Sequence, residues 1–148
     1  MLSQSQKGFT LIEMLVVIGI IAIVGAISFP VYQNMRPNIT LNTATRDLAT
    51  DMRYGQQLAV TEQLVYNVIF NTGASSYEIR KDSDNDLILS KILPSGITFY
   101  SITELTGNTA KFTATGAAVE PTAIILASNG SKQSTIEIKP SGYVKISN

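Results

Sequence analysis

Cysteine, histidine and tryptophan are all absent from this 148-residue chain. Without cysteine no disulfide can staple the fold, so any globular part must stand on its own apolar core, in either redox compartment. Without histidine the commonest general base and metal ligand are missing, and with cysteine gone so is every Cys/His nucleophile arrangement. An excess of charge of either sign is lacking too. Eleven basic and eleven acidic side chains cancel and are interspersed, which leaves no field to draw nucleic acid or an acidic substrate. Nor does any Gly-x-Ser-x-Gly, Ser-x-x-Lys or P-loop spacing occur. The expectation is a chain that is not an enzyme and needs no cofactor.

What the sequence does contain is a long apolar run near its start. Residues 1–8 are polar with one positive charge at Lys7, and Phe9-Thr10-Leu11-Ile12-Glu13 leads into apolar sequence reaching Val31. Leu11 to Val31 is 21 residues, about 31 Å if helical at ~1.5 Å per residue, which matches a hydrocarbon core of roughly 30 Å. A secretory signal would be cut after its apolar part at a small-residue site; Ala26-Ile27-Ser28-Phe29-Pro30 is a poor one, so the helix is expected to be retained. Lys7 before the span, with no basic residue again until Arg36, favours an N-in orientation with the remainder outside the cytoplasm.

Glu13 is the informative residue. An ionised carboxylate costs ~2.5–3.5 kcal/mol at the centre of a span and less toward its end. An interfacial glutamate reaching headgroup water accounts for it in one way. A partner charge accounts for it in another: cleavage before Phe9 would create an α-amine four residues ahead, and a pair at about 4 Å with an effective dielectric near 20 is worth ~4 kcal/mol. The amine of a neighbouring helix would serve equally, and would set the axial register between subunits.

The string Lys7-Gly8-Phe9-Thr10-Leu11-Ile12-Glu13 followed by an apolar helix resembles the class III signal of type IV pilins and type II secretion pseudopilins. The resemblance implies cleavage between Gly8 and Phe9 by a prepilin peptidase, N-methylation of Phe9, and Glu13 neutralising a neighbour's N-terminus. It also implies a helix-disrupting role for Pro30. From the residues alone, Gly19, Gly25 and Pro30 predict a local kink or melted stretch, because proline removes a helical hydrogen bond and glycine weakens helix by ~1 kcal/mol.

Arg36-Pro37 predicts a second break, and with it an organisation into a leader (1–8), an apolar helix (9–36) and a head (37–148). In the head, Leu41, Ala44, Leu48, Met52, Gly55 and Ala59 recur every three or four residues, with Arg46, Asp47, Asp51 and Arg53 facing elsewhere; this is an amphipathic helix over about 40–62. From Leu64 the period becomes two. Val65–Phe70 and Tyr77–Arg80 read as antiparallel strands, followed by Leu87–Ile92, Ile97–Ile102, Ala110–Thr115, Ile124–Ala127, Ser134–Ile138 and Tyr143–Ile146. The expected class is α+β: a long N-terminal helix packed on an antiparallel β-sheet head. The helix Arg46–Ala59, Leu93-Pro94-Ser95-Gly96-Ile97 and Ser141-Gly142-Tyr143-Val144-Lys145-Ile146 are similar to the minor pseudopilin H subfamily and its minor type IV pilin relatives.

Two stretches in the head are candidate binding sites. Asp82, Asp84 and Asp86 alternate through one loop, the beginning of an oxygen-ligand calcium site, but the glycine and closing glutamate of an EF-hand are absent and a solvated hairpin turn explains the same residues. Gly142-Tyr143-Val144-Lys145 lies where DNA-binding minor pilins of competence systems carry glycine, arginine, any residue, arginine. Tyrosine and lysine replace both arginines, which argues against DNA. Tyr143 could stack on a base and Lys139 and Lys145 could meet phosphates, yet two lysines are a thin footprint and an exposed edge strand is the plainer reading.

The expected function is that of a minor pseudopilin of a type II secretion system. Its expected partners are other pilins or pseudopilins, prepilin peptidase, an inner-membrane assembly platform and, for the precursor, the membrane itself, with the head periplasmic and no nucleic acid bound. A minor type IV pilin, DNA-binding in competence, is the first alternative. A single-pass anchored enzyme or binding protein without a filament role is the second.

Overall fold

The computed structural model describes residues 8–129 and 132–147, side chains 29–35 excepted. The leader 1–7 with Lys7, and the Pro30 side chain, therefore lie outside the described residues. The chain divides at Arg36/Pro37 into two compact units, described separately.

In the first unit the backbone turns helical at Leu11. Over Leu11–Ser28 the mean hydropathy is 2.6 and no residue is buried within the chain. Such a face finds its burial in lipid or against other chains. Helical backbone is assigned without a gap from Leu11 to Glu62, so the melted stretch expected near Pro30 and the break expected at Arg36-Pro37 do not appear. Each proline deletes one i→i−4 bond, while the other bonds of a 52-residue helix remain available.

In the second unit the helix carries the predicted stripe: Leu41, Ala44, Leu48, Met52 and Ala59 are buried, as is Gly55. Arg53 is exposed as expected, whereas Asp51 does not face elsewhere. The Asp51 side chain is only 14% exposed and accepts hydrogen bonds from the Tyr77 hydroxyl at 2.5 Å and Lys91 Nζ at 2.7 Å. Arg53 Nη2 donates to the Val144 carbonyl at 2.9 Å. Both residues border the apolar stripe, and both find partners that a helical wheel does not include. The helix stops with Gln63 at φ 56, and Leu64 N–H reaching back to the Ala59 carbonyl at 3.2 Å closes it in a Schellman-type turn.

Eight strands follow: β1 Tyr66–Asn71, β2 Ser76–Lys81, β3 Leu87–Ile92, β4 Ile97–Thr103, β5 Thr109–Phe112, β6 Thr122–Ser128, β7 Lys132–Ile138 and β8 Val144–Ser147. They form two antiparallel four-stranded sheets, ordered β3-β2-β1-β5 and β4-β6-β7-β8, which is the α+β class expected, with the β-rich head divided in two. Alternation assigns residues to faces and is silent on neighbours. The switch of sheet falls at Pro94-Ser95-Gly96: the Leu93 amide still donates to the Ser75 carbonyl, just before β2, and the Gly96 carbonyl already accepts from the Asn129 amide, just after β6. The strand expected to reach Thr115 ends at Phe112, where Thr113 and Gly116 close a turn.

One core joins helix and sheets. Leu48 and Met52 belong to one cluster of buried side chains with Tyr66, Val68, Ile79 and Phe112 of the first sheet and Leu126 and Ile136 of the second. Phe70 and Phe99 contact edge to face across the two sheets, with centroids 5.6 Å apart at 67°.

Candidate functional site

Gly8, Phe9 and Thr10 lie just ahead of the apolar helix, together with Glu13 in its first turn. Phe9 is 83% exposed, and Gly8 is exposed as well. Thr10 caps the helix: its Oγ1 accepts from Glu13 N–H at 3.3 Å, while Glu13 Oε2 accepts from Thr10 N–H at 3.3 Å and Thr10 Oγ1–H at 3.2 Å. This is a capping box, in which two otherwise unpaired donors at the start of a helix are satisfied reciprocally. Glu13 also lies at the positive end of the helix dipole. Thr10 carries no role in the sequence reading, although Thr-x-x-Glu before an apolar run is the written signature of this cap.

In the head, Asp82, Asp84 and Asp86 do not converge. Asp82 turns to Asn67 Nδ2 at 2.7 Å and Lys111 Nζ at 3.4 Å; these donors, Asn67 first, hold its carboxyl below the ordinary range. Asp84 instead accepts from Ser83 and from the Asp86 amide, and Asn85 takes φ 58. This is a hydrogen-bonded turn, and among the described residues no group of three His, Cys, Asp or Glu is placed to hold a metal ion. A recess of about 520 Å³ beside it is lined by Asn67, Ile69, Lys111, Val119 and Glu120 among others. Its charges are engaged locally: Glu120 accepts from the Thr106 amide and hydroxyl at 2.8 and 2.9 Å.

Tyr143 is 59% exposed and Lys139 and Lys145 are exposed, at the β7–β8 turn and on edge strand β8. Gly142, between them, is buried, and a Cβ there would stand 1.8 Å from the Gly116 carbonyl oxygen. The start of the Gly-Tyr-Val-Lys string is thus occupied by packing between two loops.

Comparison with known proteins agrees with both halves of this description. Residues 3–29 match the prokaryotic N-terminal methylation motif. Over 29 residues the chain is 72% identical to prepilin peptidase-dependent protein D of Escherichia coli, covering 20% of each chain. Over 62 residues it is 44% identical to fimbrial protein EcpC of Eikenella corrodens, covering 42% of this chain and 37% of that one. The chain thus matches well under half the length of these curated relatives. Among solved structures, the type IV minor pilin FimU of Pseudomonas aeruginosa superposes with a TM-score of 0.63 at 15% identity, covering 77% of this chain and 92% of that one. The minor pseudopilin EpsH from the type 2 secretion system of Vibrio cholerae superposes at 0.60 with 9% identity, covering 72% and 94%. The chain thus carries an N-terminal methylation motif on an apolar helix, and its head has the α+β fold of these minor pilin and pseudopilin structures.

Proposed function

We propose that the chain is a minor pseudopilin of a type II secretion system, a structural subunit and not an enzyme. Prepilin peptidase cuts between Gly8 and Phe9 and Phe9 is N-methylated. The apolar helix holds the subunit as a single pass in the inner membrane with its head in the periplasm, until an inner-membrane assembly platform moves it into an envelope filament with other pseudopilins.

The observation that carries this reading is an apolar helix with no residue buried within its own chain over Leu11–Ser28, preceded by exposed Gly8 and Phe9 and carrying Glu13 in its first turn. In the precursor Glu13 is satisfied by Thr10. Cleavage supplies an amine of opposite charge, and a partner amine within about 4 Å outweighs a neutral cap bond of ~1 kcal/mol. Glu13 then sets register between helices while the apolar surface exchanges lipid for neighbouring subunits. The intact mass of the membrane-extracted protein tests the processing step: loss of residues 1–8 with gain of one methyl group is expected, and a full-length mass refutes it.

The likeness to a type IV minor pilin and to a fimbrial protein favours one other reading, a minor subunit of a type IV pilus. Crosslinking the head in native membranes separates the two by whether pilus or secretion-system subunits are captured. DNA binding by the head with a steep salt dependence would identify a competence pilin.

A further inference from the structure

Two recesses of the head use their polar side chains differently. In the one beside Asp82, Lys111 and Glu120 already have partners. The other, about 260 Å³, lies between the start of the head's helix and the β6–β7 hairpin and is lined by Asn38, Leu41, Asn42, Lys132 and Gln133. Leu41 closes it with buried apolar surface. The side chains of Asn38, Asn42, Lys132 and Gln133 make no hydrogen bond or ion pair with another described residue. Three amides and one ammonium therefore converge with their N–H groups unspent, and no carboxylate lines the recess. Such a set of donors suits an oxyanion. The nearby sequence has the same bias, because the only charges between Glu13 and Asp47 are Arg36 and Arg46.

The place of the recess along the chain selects the oxyanion. Asn38 and Asn42 follow Val31, the end of the apolar run, by seven and eleven residues. Seven residues reach at most ~25 Å when fully extended and ~10 Å as helix, and the backbone there is helical. The headgroup layer of a bilayer is about 5–8 Å deep on each side of the hydrocarbon. Side chains of a helix tilt toward its N-terminus, so both asparagines lean back along the chain toward the span, and a lysine stem lowers its ammonium further.

We propose that the recess of Asn38, Asn42, Lys132 and Gln133 holds the phosphate of a membrane lipid headgroup. The inference rests on the reading of Leu11–Val31 as a membrane span and adds a partner to it. All phospholipids share the phosphodiester, and Lys132 favours those with net negative charge. The head is thereby docked on the bilayer surface while the subunit is stored there, and leaving the membrane requires the recess to give up its phosphate.

The full chain, purified from membranes in a neutral detergent, is titrated with phosphatidylglycerol, with diacylglycerol of the same acyl chains and with inorganic phosphate, and bound lipid is counted by native mass spectrometry. Phosphatidylglycerol is expected to bind at least about tenfold more tightly than diacylglycerol, which offers the apolar helix the same chains without the phosphate. Lys132→Ala is expected to weaken phosphatidylglycerol about fivefold and Lys132→Ala/Asn42→Ala more, while Lys132→Arg stays close to the parent chain. Inorganic phosphate, with no acyl chains to keep it at the recess, is expected to leave the lipid bound at millimolar concentration. Equal binding of the two lipids, or equal binding by the parent chain and Lys132→Ala, overturns the proposal. Displacement by inorganic phosphate assigns a free-anion site and overturns the lipid. The substitutions lie outside the span, so every variant is expected to fractionate with membranes; a parent chain found in the soluble fraction refutes the span itself, and this inference with it.

Discussion

Replacing Gly142 by alanine tests how the two halves of the head are locked together. Gly142 sits at φ 81, where an added Cβ would lie 1.8 Å from the Gly116 carbonyl oxygen and 2.3 Å from Gln56 Nε2. An L-residue in this left-handed region costs about 1 kcal/mol by itself. The overlap with backbone cannot be relieved by a rotamer change, so the β7–β8 turn and the loop at Gly116 must separate by about 1 Å or more. That movement strains the Gln56–Gly116 bond (2.7 Å), the Arg53–Val144 bond (2.9 Å) and the Ala118–Pro140 bond (3.1 Å). At ~1 kcal/mol for a neutral bond and somewhat more for a charged donor, the total cost is about 4 kcal/mol. The assay is urea unfolding of residues 37–148, the second compact unit, followed by the near-ultraviolet circular dichroism of its tyrosines. The midpoint is expected to fall by about 2 M or more. Gly107→Ala is the control: φ is 64 there but nothing lies within 4 Å, so only the backbone cost of about 1 kcal/mol is expected. If the two variants unfold within about 1 kcal/mol of each other, the locking of these loops through Gly142 is wrong.

Asp51→Ala leaves the buried Tyr77 hydroxyl and the Lys91 ammonium without their shared acceptor. A loss of about 2–3 kcal/mol is expected in the same urea assay, with Asp51→Asn losing less because it keeps an acceptor for Tyr77. Alkaline stability depends on Tyr66, whose hydroxyl donates to Glu62 at 2.7 Å and whose pKa burial, then Glu62, pushes up to about 12. Because the folded state prefers the neutral phenol, its contribution is complete below the free-tyrosine value of about 10 and is lost as pH rises from there toward 12. Tyr66→Phe is expected to flatten that part of the stability profile, measured by unfolding at fixed pH steps; an unchanged slope refutes the assignment.

The processing region is legible because its signals are local. Gly8-Phe9, the charge at Glu13 and an apolar run of membrane length are read directly, and so was the Thr10–Glu13 cap in principle. The head's elements are legible for the same reason: a period of three to four placed the helix stripe on Leu48 and Met52, and a period of two placed each strand within a few residues. Asp51 was misassigned, and the partner of exposed Arg53 went unforeseen, because periodicity describes one helix and omits what comes to meet it. Tyr77 is 26 residues and Val144 91 residues away in sequence.

Sequence by itself determined that this chain has an apolar, acid-bearing N-terminal helix and a β-rich head, since composition and short-range spacing decide those properties. Tertiary structure alone decided that the strands divide into two sheets at Pro94–Gly96, that Gly142 is a packing residue, that the Asp82 loop is a turn, and that Lys132 shares a recess with Asn38 and Asn42. Each of those depends on which distant segments become neighbours, and side-chain alternation along a strand carries no record of the strand beside it.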